Sequence, residues 1–289
     1  MKKVAITLAS GQLGSKVIQQ LIKEIGKENV VGIARNPKKA EHLGVEIRKA
    51  DYNSFDDFSN VLQNIDTLLL ISGVDKPDTR TKQHQNIIKA AQKNNVKKIV
   101  FTSVIGNLEN TSFKPILQSN RQTETDIINS KMDWSIGRNS LYIEPDLEYV
   151  ETYKKLGVIV NSAANGKCGY TSRNELAIAY TNMLLNKKYN NKIYNLLGEP
   201  VTQQQLADSI NKEYGTNISY QTISVVEFLN DRSKALGEFL GIIISSIYEN
   251  IKNGSFNLKS DFETVTGRKH KNLLELIQTY KRETNGVKN

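Results

Sequence analysis

Apolar positions along the first half of the chain fall into two alternating patterns. Val4, Ala5, Ile6 and Leu8 make a short, nearly continuous apolar run, as a parallel strand covered on both faces requires. Val17, Ile18, Leu21, Ile22 and Ile25 then recur at helical spacing. The alternation repeats, with strand-like runs at 30–34, 45–49, 67–71, 98–101 and 133–136 and helical patterns at 37–43, 54–62, 79–94 and 120–130. Such an order predicts an α/β fold built on a doubly wound parallel sheet. Between Val104 and Ser119 the chain reads as a long mixed loop with Gly106 and Pro115, placed to act as a lid.

Beyond Pro145 the alternation weakens. A helix over 173–185, a strand over 192–197 and a helix over 203–214 are its clearest elements, and Thr202 with Gln205 has the spacing of a capping box. A further strand is expected at 218–223, helical pattern from Val225 onward, and a last helix over 273–281 before a polar tail that should fray. The predicted division is 1–144 as the sheet domain and 145–289 as a smaller C-terminal α+β lobe, partly interleaved with the first.

Bulk properties narrow the class. With 289 residues, 38% hydrophobic content and five prolines, the chain has the make-up of a globular protein rather than a disordered one. The net charge of +9 comes from lysines spread over the whole length, without a basic block or interleaved aromatics, so nucleic acid is not the expected partner. A basic surface does suit an anionic cofactor. A single cysteine, Cys168, forbids an internal disulfide and suits a reducing cytoplasm; it reads as incidental rather than reactive. His42, His84 and His270 are too far apart to suggest a metal. His84 reads as an exposed or capping residue of its helix. The opening apolar run is too short for a signal peptide, and the late run 239–247 is too short for a bilayer.

The chemistry concentrates at the predicted carboxyl ends of the strands. The turn Leu8, Ala9, Ser10, Gly11, Gln12, Leu13 joins the first strand to a helix, with Gly11 and Gly14 three residues apart. Unpaired N–H groups and the positive end of the helix dipole meet there, a ready site for a pyrophosphate in a Rossmann-like domain. The usual first glycine of such a turn is replaced by Leu8, whose Cβ strains the loop or narrows the phosphate path. Arg35 ends the second strand, where a guanidinium accommodates the 2′-phosphate of NADP. Asp51 follows the third strand and either meets an adenine amino group or caps the helix beginning near Ser54. Ser72, Gly73 and Val74 end the fourth strand and face the expected cofactor crevice. Ser103 closes the fifth strand, either as a donor to the reacting group or simply as a strand end, and Tyr142 stands beyond the sixth, placed to stack on a ring or donate a proton.

Seven segments in order, TLASGQLGSKVI, IARNPKKA, ADY, LLLISG, QHQNIIKAA, FTSV and RNSLYIE, resemble the NmrA-like group of atypical short-chain dehydrogenases, in particular its NAD(P)H:quinone oxidoreductase type-two branch. More loosely, GKCGYTSRNELA and KIYNLLG extend the resemblance. The resemblance implies NADPH bound through Leu8–Leu13 and Arg35, with contacts from Ser72 to Val74, the loop holding Asn139, Ser140, Tyr142 and Glu144, and Arg173. It also implies hydride transfer to a quinone or similar small electrophilic carbonyl. Asn120 stands where the quinone-reducing relatives are expected to carry histidine; an amide can orient a carbonyl but delivers no proton. The Tyr-x-x-x-Lys pair of ordinary short-chain dehydrogenases has no match after Ser103. Three expectations follow: an oxidoreductase with Tyr142, Asn120 and Ser103 at its reacting centre, an NADP(H)-sensing regulator that binds a protein partner without turnover, or a site that has lost its dinucleotide affinity. A homodimer is compatible with each.

Overall fold

A computed structural model of the chain describes residues 3–109 and 111–286. In chain order, β1 (Val4–Ile6), α1 (Gln12–Ile25), β2 (Val30–Ala34), β3 (Glu46–Lys49), α2 (Phe55–Val61), β4 (Thr67–Ile71), α3 (Pro77–Lys93), β5 (Lys98–Val104), α4 (Lys114–Ile128) and β6 (Asp133–Asn139) form the alternating half. There follow α5 (Glu144–Glu148), α6 (Val150–Leu156), β7 (Val158–Asn161), β8 (Cys168–Gly169), α7 (Arg173–Leu185), β9 (Lys192–Leu196), β10 (Pro200–Val201), α8 (Gln203–Tyr214) and β11 (Ser219–Thr222). Four helices close the chain: α9 (Val225–Leu236), α10 (Glu238–Lys252), α11 (Phe262–Thr266) and α12 (Leu273–Gly286).

Seven strands make one sheet in the order β3-β2-β1-β4-β5-β6-β9. All its pairings are parallel, so this is a doubly wound, Rossmann-like fold. Side chains alternate across the sheet with a period of two. Val4, Ile6, Leu69 and Val100 pack under α1 and α7, whereas Ala5, Leu68, Leu70 and Phe101 pack under the helices that include Phe58, Ile87 and Ile127. Burial on both faces is why these strands read as continuous apolar runs. The strand order reverses between β1 and β4, which opens a crevice at their carboxyl ends.

Several boundaries differ from the sequence reading. The helix expected over 37–43 is two 3₁₀ turns, because the segment starts at Pro37 and Gly44 (φ 69°) stops it after one short apolar stretch. The lid-like loop is shorter than expected. β5 runs on to Val104, and α4 begins at Lys114 with Pro115 in its first turn, where proline favours a helix rather than breaking it. Asn110, in that loop, lies outside the described residues, as does the tail at 287–289.

The second half returns to the sheet. β9 pairs in parallel with β6 and becomes its edge strand. Helices α7 and α11 pack into the core of the sheet, and the other elements bury a separate apolar cluster containing Ile143, Ile159, Tyr170, Ile210 and Ile251. Thr202 and Gln205 form the expected capping box, and β11 pairs with β7. Helices α9 and α10 cross so closely at Gly241 that a Cβ there would lie 2.3 Å from Ser233 Oγ.

Candidate functional site

The turn after β1 is built by backbone geometry. Gly11 N–H donates to Leu8 C=O at 2.8 Å, and Ala9 N–H donates to Ile33 C=O at 3.0 Å, tying the turn to β2. Leu8 adopts φ 49°, the left-handed region that glycine occupies freely. Its side chain packs against both central apolar clusters. Gly14 is required by close approach, since a Cβ there would sit 2.4 Å from Leu8 O. Helix α1 starts at Gly11 without a side-chain cap, which leaves the N–H groups of its first turn to an outside acceptor.

A cavity of about 530 Å³ lies at the carboxyl ends of β1, β4, β5 and β6. It brings Leu8, Gly11, Gln12 and Leu13 together with Ser72, Gly73 and Val74 on one side. Ser103, Asn120, Asn139, Ser140, Tyr142 and Arg173 complete it on the other. Five expected residues do not line it. Ala9 is fully buried and Ser10 is exposed at the turn. Arg35 is exposed just past β2 and makes no hydrogen bond or ion pair to another described residue. Asp51 spends its carboxylate on Asn53, both at its N–H and at its Nδ2 at 2.9 Å, while Ser54 caps α2 instead. Glu144 faces an adjoining groove with Gln12 and Arg173, and its Oε1 accepts Arg173 N–H at 2.7 Å.

The reacting candidates differ in what their protons already do. Tyr142 accepts a hydrogen bond from Asn139 Nδ2 at 3.0 Å, and Asn139 Oδ1 accepts the Tyr180 hydroxyl at 2.6 Å. Arg173 lies over the Tyr142 ring at 5.5 Å from its centroid. Burial pushes the Tyr142 hydroxyl up to about 12, with Asn139 and Arg173 opposing, so it stays protonated. Ser103 instead donates to Glu124 Oε1 at 2.6 Å and accepts from Arg121 Nη1 at 3.2 Å. Its hydroxyl can still accept, but its proton is committed to a carboxylate, which removes the donor role expected from the sequence. Glu124 is buried between Arg121 at 2.8 Å and Arg138 at 2.5 Å. Burial works against the Glu124 carboxylate, and the two guanidinium groups with Ser103 outweigh it, holding its pKa below the usual value. Asn120 gives one N–H to Ile116 C=O at 2.9 Å and accepts Ser72 Oγ at 3.3 Å.

His84 is not an exposed or capping residue. It is fully buried, where Nε2 accepts the Gly73 N–H at 3.2 Å and Nδ1 meets Thr123 Oγ1 at 2.9 Å. Thr123 already donates to Ser119 C=O, so Nδ1 carries the ring proton. Burial, with Arg80 nearby, pushes the ring down to about 3 and keeps it neutral. Its role is to hold the Ser72–Gly73 loop at the cavity wall.

Arg80 is the polar wall residue that the sequence reading missed. It is buried, with Nη2 on Asp75 C=O at 2.8 Å and Nη1 on Ser119 Oγ at 3.3 Å. A signal was available: Arg80, His84, Ile87 and Ala91 share one face at helical spacing, so both polar residues belong to the inward stripe. Ile247 and Phe256 also line the cavity; they come from α10 and the turn after it, and nothing local marks them. Cys168 is buried, and burial pushes its thiol up to about 12, so it has no thiolate character. Among the described residues no group of His, Cys, Asp and Glu could hold a metal ion, and no helix is long and apolar enough to cross a membrane.

Known proteins resemble this chain in sequence and in fold. Residues 9–185 match a family described as NAD(P)H-binding. The chain is 33% identical over 229 residues to quinone oxidoreductase 2 of Escherichia coli, covering 78% of this chain and 79% of that protein. It is 27% identical over 262 residues to an NmrA-like family domain-containing oxidoreductase of Aspergillus flavus, covering 86% and 85% of the two chains. Among solved structures, the NADPH complex of the Escherichia coli NADPH-dependent quinone oxidoreductase superposes with a TM-score of 0.89 at 29% identity, over 96% of this chain and 99% of the other.

Proposed function

This chain belongs to the NAD(P)H-binding family, and from that premise we propose that it is an NADPH-dependent oxidoreductase that reduces a quinone or a similar small electrophilic carbonyl. One observation carries the reading. The uncapped start of α1 and Tyr142, whose hydroxyl accepts from Asn139, line the same cavity.

The residues present fit a dinucleotide. The first-turn N–H groups of α1 at Gln12 and Leu13 would hold the diphosphate, and Gly11, whose own N–H is bonded to Leu8 C=O, would let it approach the backbone. Arg35, unpaired among the described residues and standing just past β2, would take the 2′-phosphate and so favour NADPH over NADH. Ser72 to Val74, Asn139 and Ser140 would flank the rest, and Arg173 with Glu144 would close the far side. When bound, the reduced nicotinamide supplies the hydride equivalent.

Protein groups then have to orient the acceptor and meet the negative charge that grows on its oxygen. Tyr142 suits this best, because Asn139 occupies its lone pair and leaves its proton free to donate. Asn120 retains one N–H for orientation. Ser103 acts as an acceptor held rigid by Glu124 and Arg121. The elements after Pro145, which supply Ile247 and Phe256 to the cavity, form the substrate side of the cleft.

A second reading is a regulator that senses NADP(H) without turnover, and the commitment of the Ser103 proton to Glu124, with an amide rather than a proton donor at Asn120, favours it. NADPH consumption with a panel of quinones separates the two. Consumption that falls in Tyr142→Phe supports the enzyme, whereas demonstrated NADPH binding without consumption for every acceptor supports the regulator.

A further inference from the structure

Behind Tyr142 a second cavity, of about 410 Å³, runs between α6, β7 and the α9–α10 pair. It shares Leu141, Tyr142 and Ile247 with the first cavity, so the two meet at the proposed acceptor position. Its walls are almost wholly apolar and aromatic, with Tyr149, Tyr153, Phe228 and Tyr248 prominent. Its size lies within the range of about 300–1,000 Å³ typical of small-molecule sites.

Two charged residues interrupt this lining, and their situations differ. Asp146 accepts the Tyr153 hydroxyl at 2.9 Å. Arg232 forms no ion pair among the described residues, and its buried Nε has no hydrogen-bond partner. Its guanidinium lies 5.5 Å from the centroid of the Phe228 ring, and that aromatic face carries no counter-charge. A half-buried cation that no carboxylate of the chamber pairs, Asp146 being held by Tyr153 instead, is unfavourable on its own, and an acidic group arriving there meets a ready partner.

Resting on the oxidoreductase reading, we propose that the second cavity is the acceptor's specificity pocket: it holds the apolar, ring-containing body of an acidic acceptor whose sulfonate or carboxylate pairs with Arg232. The electrophilic carbonyl then reaches Tyr142 through the shared wall. The substrate class is an anionic aryl quinone rather than a small neutral one. Arg232 acts through binding and takes no part in the redox step, in which quinone gains two electrons and two protons as NADPH is oxidised to NADP⁺.

The test compares naphthoquinone with naphthoquinone sulfonate in steady-state NADPH oxidation by the parent protein, Arg232→Gln and Arg232→Lys. Because the sulfonate also alters the quinone's reactivity, each variant is compared with the parent on the same substrate. The expected result is a KM for the sulfonate raised about tenfold in Arg232→Gln, with kcat within about twofold, restored in part by Arg232→Lys. Kinetics with the neutral quinone should stay within about twofold. Equal effects on both quinones, or none, overturn the proposal while leaving the oxidoreductase reading intact. If neither quinone is reduced, that reading fails instead, and calorimetric titration with naphthalene sulfonate decides the pocket. Binding weakened about tenfold in Arg232→Gln upholds it, and no binding, or equal binding, overturns it.

Discussion

Asn139 donates its side-chain N–H to the Tyr142 hydroxyl at 3.0 Å, and this single contact sets the direction of the tyrosine's own proton. The Tyr180 hydroxyl holds the other end of the Asn139 amide at 2.6 Å, in the orientation that leaves the Tyr142 proton free. Tyr142 is thereby a donor toward the cavity. Removing that hydroxyl in Tyr142→Phe should lower kcat about tenfold, the worth of one hydrogen bond to developing charge, with little change in NADPH affinity. Because burial pushes the hydroxyl up to about 12, no basic limb from this residue should appear in a rate profile taken between about pH 6 and 9.

Arg35 stands at the surface past β2 without a described partner, so its replacement leaves the fold unchanged. Fluorescence titration should find Arg35→Gln weakened for NADPH by about 10–100-fold, the range of a charge-assisted contact, and unchanged for NADH. Equal affinity of the parent protein for the two nucleotides would remove the assignment.

Leu8 carries a positive φ, yet its side chain packs on both sides of the sheet. Leu8→Gly relieves about 1–2 kcal/mol of backbone strain but gives up apolar contacts of comparable or larger worth and adds chain entropy to the unfolded state. The variant should melt lower, by about 1 kcal/mol, while binding NADPH more tightly because the turn opens. Lower affinity in the variant would show that the leucine is an adapted part of the turn.

The contrast between Leu8 and His84 illustrates what the sequence could reveal. Apolar runs such as 67–71 identify buried parallel strands on their own, and the glycine spacing at Gly11 and Gly14 locates the turn, because both signals are local. The Leu8 strain was legible for the same reason. The place of β9 at the sheet edge was not, since its partner β6 lies more than fifty residues earlier. The sequence pattern starts a helix at Asn120, whereas α4 begins at Lys114, because a proline at a helix start looks like a loop signal. Ser103 lines the cavity, but the carboxylate that takes its proton, Glu124, comes from another element. Arg232 lies in a stretch that reads only as helical, and its missing counter-charge is a property of the packed molecule.

Burial pushes the Asp146 carboxyl from 3.8 up to about 6, so the folded chain holds this proton more firmly than the unfolded chain does. The resulting stability is complete below the unfolded value and is lost as pH rises through about 6. Asp146→Asn keeps an acceptor for Tyr153 and cannot ionise, but gives up the contact that the carboxyl makes with Tyr170. Thermal melts should therefore show its stability relative to the parent rising by about 2–3 kcal/mol between about pH 4 and pH 8. A relative stability that does not rise over that range would mean that the carboxylate is compensated in the fold.

The central claim is that the cavity at the strand ends carries out reduction rather than only holding a nucleotide. Its most direct test is a single turnover, in which NADPH-loaded protein is mixed anaerobically with excess naphthoquinone while the reduced-nicotinamide absorbance is followed. The account predicts loss of that absorbance in an amount equal to the bound NADPH, slowed in Tyr142→Phe. Bound NADPH that persists unchanged with this quinone and with its sulfonate would contradict it.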